Sequence, residues 1–296
     1  MGVSRARTTG SPAPLLGVGL MLMAMAILPG MDVMAKHLGA LGFPVIEIVW
    51  ARLLFGGLLT LPFALRHGAK GLWPDRPWLH ALRGGLLIAA TYCFFLAVQY
   101  LPIADALAIF FVQPLVLTAL SPLVLGERVG PRRWAAVLVG FVGTLIIIRP
   151  GIIAVSPGAM AALAAGTFLA LYFLITRRIS GQQPAVVTTF QTNLIGGLIA
   201  TALVVPVFQT PGPLDWLEFA GLGAVATLGH YLIVRAYDHA EASLLAPLAY
   251  TEMITSTLLG WLFFGDFPDG WTFVGVAVLI TCAIYISMRE RLAAAR

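Results

Sequence analysis

Apolar residues make up 59% of the 296 in this chain and charged residues only 10%, a balance that excludes a soluble globular domain and assigns the chain to the lipid bilayer. The net charge of +5 is scattered over loops that nowhere combine a basic patch with aromatics, which excludes nucleic acid as a partner. A helix crossing hydrocarbon needs about 20 mostly apolar residues, because its backbone polar groups find no water there. Ten such stretches can be read.

The first predicted span runs from Leu15 to Ala35, behind a cytoplasmic tail of residues 1–14. It follows Arg5 and Arg7 as a signal peptide would, but it is too long, carries Pro29, Asp32 and Lys36, and lacks a small-residue cleavage site. It therefore reads as a retained helix. Asp32 and Lys36 stand four residues apart on one face and are expected to pair with each other. The second span, Val45 to Leu65, has Glu47 close enough to its start to reach water and Arg52 well inside. The next three are Gly84 to Tyr100, Asp105 to Leu125 and Trp134 to Ile148. Gln113 precedes Pro114 in the fourth, and Ala136, Gly140 and Thr144 form a small-residue stripe in the fifth that suits close packing, within the chain or in a dimer.

The remaining five spans are Pro157 to Thr176, Ala185 to Phe208, Trp216 to Ala236, Ala242 to Phe264 and Trp271 to Met288, followed by a cytoplasmic tail of residues 289–296. Gln191 and Asn193 fall in the seventh, His230 in the eighth, and Tyr250, Thr251 and Glu252 in the ninth. Pro29 with Gly30, Pro114 and Pro247 interrupt spans one, four and nine. Such prolines remove helix hydrogen bonds, and in carriers they free backbone groups for solute or act as gating bends. Cys93 and Cys282 lie inside spans as small hydrophobes, so neither a disulfide framework nor a metal site is indicated, and no cofactor is called for.

Lysine and arginine accumulate on cytoplasmic loops. With the N-terminus inside, that face collects Arg5, Arg7, Arg66, Lys70, Arg76, Arg83, Arg128, Arg132, Arg133, Arg177, Arg178, Arg235, Arg289, Arg291 and Arg296. Lys36 and Arg149 alone fall outside, and Arg52 within a span, so both termini are expected in the cytoplasm.

The chain also repeats itself. Pro44, Gly56, Gly57, Leu58 and Asp75 match Pro184, Gly196, Gly197, Leu198 and Asp215 at an offset of 140, and Gly126 with Glu127 matches Gly265 with Asp266 at 139. The first copy covers residues 15–150 and the second 151–288. Each has five spans, an odd number, so the second copy enters from the opposite side. The expected fold is an all-α membrane protein of ten transmembrane helices in two inverted five-helix repeats. The turn after the fourth span is rich in arginine and its echo after the ninth is acidic, as an inverted copy requires.

Three motifs carry a resemblance: "WARLLFGGLL" around Arg52, "FFVQPLVLTALSPLVLGERV" with Pro114, Gly126 and Glu127, and "APLAYTEMITSTLLGWLFFGD" in the ninth span. On these the chain resembles the drug/metabolite transporter superfamily, specifically its ten-helix EamA-type exporters, over nearly its whole length. The resemblance implies a secondary carrier in the bacterial inner membrane that exports small metabolites, with amino acids, aromatic ones included, as the branch to test first. Nucleotide-sugars and cationic drugs are the alternative cargoes.

Ionisable groups inside a span are expensive and point to function. Arg52 and Glu252 come from opposite repeats, and two readings stay open: they meet the carboxylate and ammonium of an amino acid, or they form a buried pair locking the halves together. Gln113, Asn193, His230 and Tyr250 are polar cavity candidates, and Trp50 and Tyr92 aromatic ones. For the amides and hydroxyls, interhelical hydrogen bonding is the competing role. No phosphate-binding Gly-Lys-Ser/Thr run occurs, since both lysines follow alanine. An intramembrane aspartyl protease is disfavoured because Asp238 and Asp266 fall at opposite ends of their spans, about 30 Å apart. What remains is a carrier working as monomer or homodimer, with a small molecule and the bilayer as its partners.

Overall fold

The computed structural model describes residues 14–68, 72, 76–125, 130–148, 156–179, 184–239 and 245–294. Among them there is helix and turn but no strand. The first repeat supplies α1 (Pro14–Ala40), α2 (Val45–Leu65), α3 (Pro77–Tyr100), α4 (Ile103–Phe110), α5 (Gln113–Leu125) and α6 (Pro131–Ile148). The second supplies α7 (Pro157–Ile179), α8 (Ala185–Val204), α9 (Pro213–His239), α10 (Glu252–Phe264) and α11 (Gly270–Ala294), with a 3-10 segment, Ala246–Thr251, leading into α10.

These make ten spans, because α4 with α5, and the 3-10 segment with α10, are each one span in two pieces. Among the described residues, six stretches are long and apolar enough to cross a membrane by length and composition, at 15–40, 45–65, 77–100, 103–120, 157–176 and 186–207. Shorter apolar helices cover Val137–Ile148 and Gly270–Cys282.

Packing follows the inverted repeat. The pair α1 and α9 is matched by α7 and α3, and the pair α2 and α9 by α8 and α3, while α2 packs on its counterpart α8 and α6 on its counterpart α11. Local geometry repeats too. Pro44 and Pro184 precede α2 and α8 with nearly equal backbone angles, φ −57°, ψ 136° and φ −56°, ψ 142°. Each ring pre-sets φ for the chain's entry into its helix.

The Gly265–Asp266 turn of the ninth span is a helix cap. Gly265 adopts φ +72°, which an L side chain resists, and so its own amide and that of Asp266 turn back to the carbonyls of Trp261 and Gly260. Its echo, Gly126 with Glu127, lies outside the described residues. Two residues of the α6 stripe face inward: a Cβ at Gly140 would stand 2.7 Å from Leu115 of α5, and Thr144 is fully buried.

Two sequence expectations are corrected here. Glu47 is buried rather than solvated, and its Oε2 accepts the backbone N–H of Gln209 at 3.0 Å. Asp32 and Lys36 do not pair. Lys36 Nζ is drawn across the repeat boundary to Asp266 Oδ2 at 2.6 Å, and within its own repeat it donates to the Leu101 carbonyl at 3.0 Å. A lysine stem is long enough to leave its own helix face for a better-placed partner, which helical spacing alone cannot reveal.

Candidate functional site

The site begins where two spans break. Proline has no N–H to give the carbonyl four residues back, so Pro114 leaves the Phe110 carbonyl without a helical donor, and α4 ends there. Gly166 of α7 presses against this opening: a Cβ on it would lie 2.6 Å from that oxygen. In the second repeat Pro247 sits in the first turn of the 3-10 segment, and the regular helix starts only at Glu252. The two breaks touch. Phe111 and Tyr250, 139 residues apart and both buried, pack with ring centroids 4.8 Å apart and planes tilted by 59°. Gln113 and Glu252, again 139 apart, are the first residues of α5 and α10, both half-buried. Two helix N-termini, with their partial positive charge, thus begin within the bundle's interior.

Arg52 forms a second polar centre, on α2. From α2 its guanidinium donates to Thr91 Oγ1 on α3 and lies 3.0 Å from His230 Nε2 on α9. Thr91 and His230 are themselves 139 residues apart, so one cation grips corresponding positions in the two halves. Asp32 and Tyr172, 140 apart, are the groups within its electrostatic reach. Arg52 is 8% exposed, and His230 is the less covered of the two. Among the described residues no ion pair joins Arg52 to Glu252.

The other candidates are dispersed. Asn193 lies in the α2–α8 contact, where a Cβ on Gly56 would stand 3.0 Å from its Nδ2. Trp50 donates to Thr201 Oγ1 at 3.0 Å and sits edge-on to Phe208 and Trp216, away from the Arg52 cluster. Tyr92 projects outward from α3. Helix α1 runs unbroken through Pro29 and Gly30, so no interruption of span one is formed there. Sequence reading passed over Thr91 and gave Asp32 only a pairing role with Lys36. The signal for Thr91 was present, since it stands at the repeat offset from His230.

A profile described as the EamA-like transporter family matches this chain twice, over residues 15–149 and 156–288. The chain belongs to the EamA-like transporter family. Full-length relatives of this EamA protein include an S-adenosylmethionine uptake transporter of Rickettsia felis, 25% identical over 95% of this chain and 96% of its own. A riboflavin transporter of Rhizobium johnstonii is 28% identical over 84% and 83%. A pseudopaline exporter of Pseudomonas aeruginosa is 27% identical over 93% and 97%. One crystal structure shares the fold with a TM-score of 0.66 at 22% identity, over 93% of this chain and 98% of that one. The EamA protein is thus a multi-pass membrane transporter of small molecules rather than an enzyme.

In this EamA transporter the two repeats are tied together at the end of the bundle opposite the termini. Besides the Lys36–Asp266 pair, His37 Nδ1 meets Glu218 at 3.0 Å, and Gln209 bonds both Glu47 and the Gly42 carbonyl. Every one of these contacts crosses between repeats, so opening this end must break them together. The prediction uses a chain in which Cys93 and Cys282 are replaced by alanine, with Lys36→Cys and Asp266→Cys added. A reducible thiol cross-linker should stop transport, and dithiothreitol should restore it. Transport unaffected by the cross-link would show that α1 and α10 do not part during the cycle.

Proposed function

We propose that this EamA transporter carries amino-acid-type metabolites, solutes with an α-amino and a carboxylate group, across the bacterial inner membrane by alternating access, with both termini cytoplasmic and export as its direction. The observation that carries the reading is the Arg52 guanidinium, deep in its span and held by residues of both repeats. An arginine fork is suited to a carboxylate and is a poor neighbour for a purely cationic drug. Two inverted halves exchanging roles supply an inward-open and an outward-open state around one site. Among relatives, the S-adenosylmethionine transporter is named for a solute bearing an α-amino acid group.

The test is counterflow in proteoliposomes with labelled amino acids, S-adenosylmethionine and riboflavin. Exchange is expected for the solutes with an α-amino carboxylate and not for riboflavin. Failure to exchange any of the former would overturn the reading. For direction, cells expressing the protein should release an amino acid faster after loading with a dipeptide than cells without it.

A further inference from the structure

We propose that Asp32 is the cation-binding residue of this transporter, and that it receives, with Glu252, the ammonium of the solute whose carboxylate Arg52 holds. The inference rests on the amino-acid reading above and names a residue that reading does not use. Asp32 lies deep in α1, about 12 Å along the helix from its end at Ala40, and is only 2% exposed. Its buried Oδ1 accepts no hydrogen bond. The cation nearest in sequence, Lys36, is held by Asp266 and Leu101 instead. Arg52, although within electrostatic reach, donates its hydrogen bonds to Thr91 and faces His230.

A carboxylate so deep in a bundle is costly unless a counter-charge or donor meets it. What faces Asp32 from the neighbouring elements adds to that need. Helix α1 packs on the 3-10 segment and on α10, and Glu252 at the start of α10 lies within electrostatic reach of Asp32. Two acids from opposite repeats thus lie near one another, while the Arg52 guanidinium is engaged by Thr91 of α3 and His230 of α9. An ammonium has three N–H donors and no acceptor, which fits two carboxylates and leaves the solute's own carboxylate to the guanidinium. Acid on α1 and α10, base on α2, makes a dipolar site, and its polarity fixes which way round a zwitterion lies.

The test measures binding to purified, detergent-solubilised protein of three matched ligands: an aromatic α-amino acid, its analogue without the amino group, and its analogue without the carboxylate. Asp32→Asn should weaken the amino acid and the amine by about tenfold or more, which is the loss of one charged contact, and leave the des-amino acid unchanged. Asp32→Glu should recover part of the loss. An equal loss for the des-amino acid, or no loss for the amino acid, overturns the assignment. If the protein binds the amine but neither carboxylate, and Asp32→Asn abolishes that binding, Asp32 keeps its role and the amino-acid reading falls. If the protein binds none of the three, both fall. Should Asp32→Asn fail to elute as a single species, Asp32→Glu decides alone, by whether it shifts affinity for the two ammonium ligands and not for the third.

Discussion

Replacing Arg52 with lysine should leave the protein folded and lower its transport rate by about 100-fold. Lysine keeps the charge but not the planar fork, so it cannot meet Thr91, His230 and a solute carboxylate together. Hydrogen bonds involving a charged group contribute about 1.5–3 kcal/mol each, and about 1.4 kcal/mol is a factor of ten. Losing one well-aligned contact to the solute therefore accounts for one to two orders of magnitude. Arg52→Ala should be worse on two counts, removing the charge and leaving a cavity between α2, α3 and α9. The measurement is counterflow rate against thermal stability of the purified variants. A lysine variant that transports normally would place the solute elsewhere, and one that merely unfolds would make Arg52 a structural tie between the repeats.

The second large effect concerns two glycine crossings related by the repeat. A Cβ at Gly84 on α3 would stand 3.0 Å from the backbone nitrogen of Gly196 on α8. At Gly223 on α9 it would stand 2.5 Å from Phe55 and 3.4 Å from the Gly56 nitrogen of α2. Gly84 and Gly223 are 139 apart, Gly56 and Gly196 140 apart, so the same crossing is built twice. In a bilayer, where lipid is as apolar as leucine, such close approach supplies the packing that holds helices together. Valine at either position meets backbone that cannot rotate away, and overpacking of this kind costs about 1–3 kcal/mol. Gly84→Val and Gly223→Val should each lower the melting temperature by several degrees, and together should prevent accumulation of folded protein. Gly85 is the control, because a Cβ there meets nothing within 4 Å. If Gly85→Val destabilises as much as Gly84→Val, helix propensity and not the crossing is responsible.

The chain alone determined its class, its spans and its symmetry. Hydropathy is a sum over consecutive residues, and a repeat offset is a comparison along the chain, so neither requires knowing what lies beside what. The same offset already contained more than was read from it: Thr91 with His230, Phe111 with Tyr250 and Gln113 with Glu252 are all separated by 139. Partner choice was another matter. Helical spacing put Lys36 beside Asp32, and the fold gave it to Asp266, in a turn 230 residues away. Glu47 looked free to reach water until the segment after α8 covered it with Gln209. Pro29 and Pro114 are alike in sequence, yet α1 runs on through the first and the fourth span breaks just before the second. Which of two helix-breaking residues breaks its helix, and which carboxylate receives the lysine, depend on neighbours brought in from elsewhere in the fold. Those neighbours exist only once the two halves have packed, and so the tertiary structure alone could decide them.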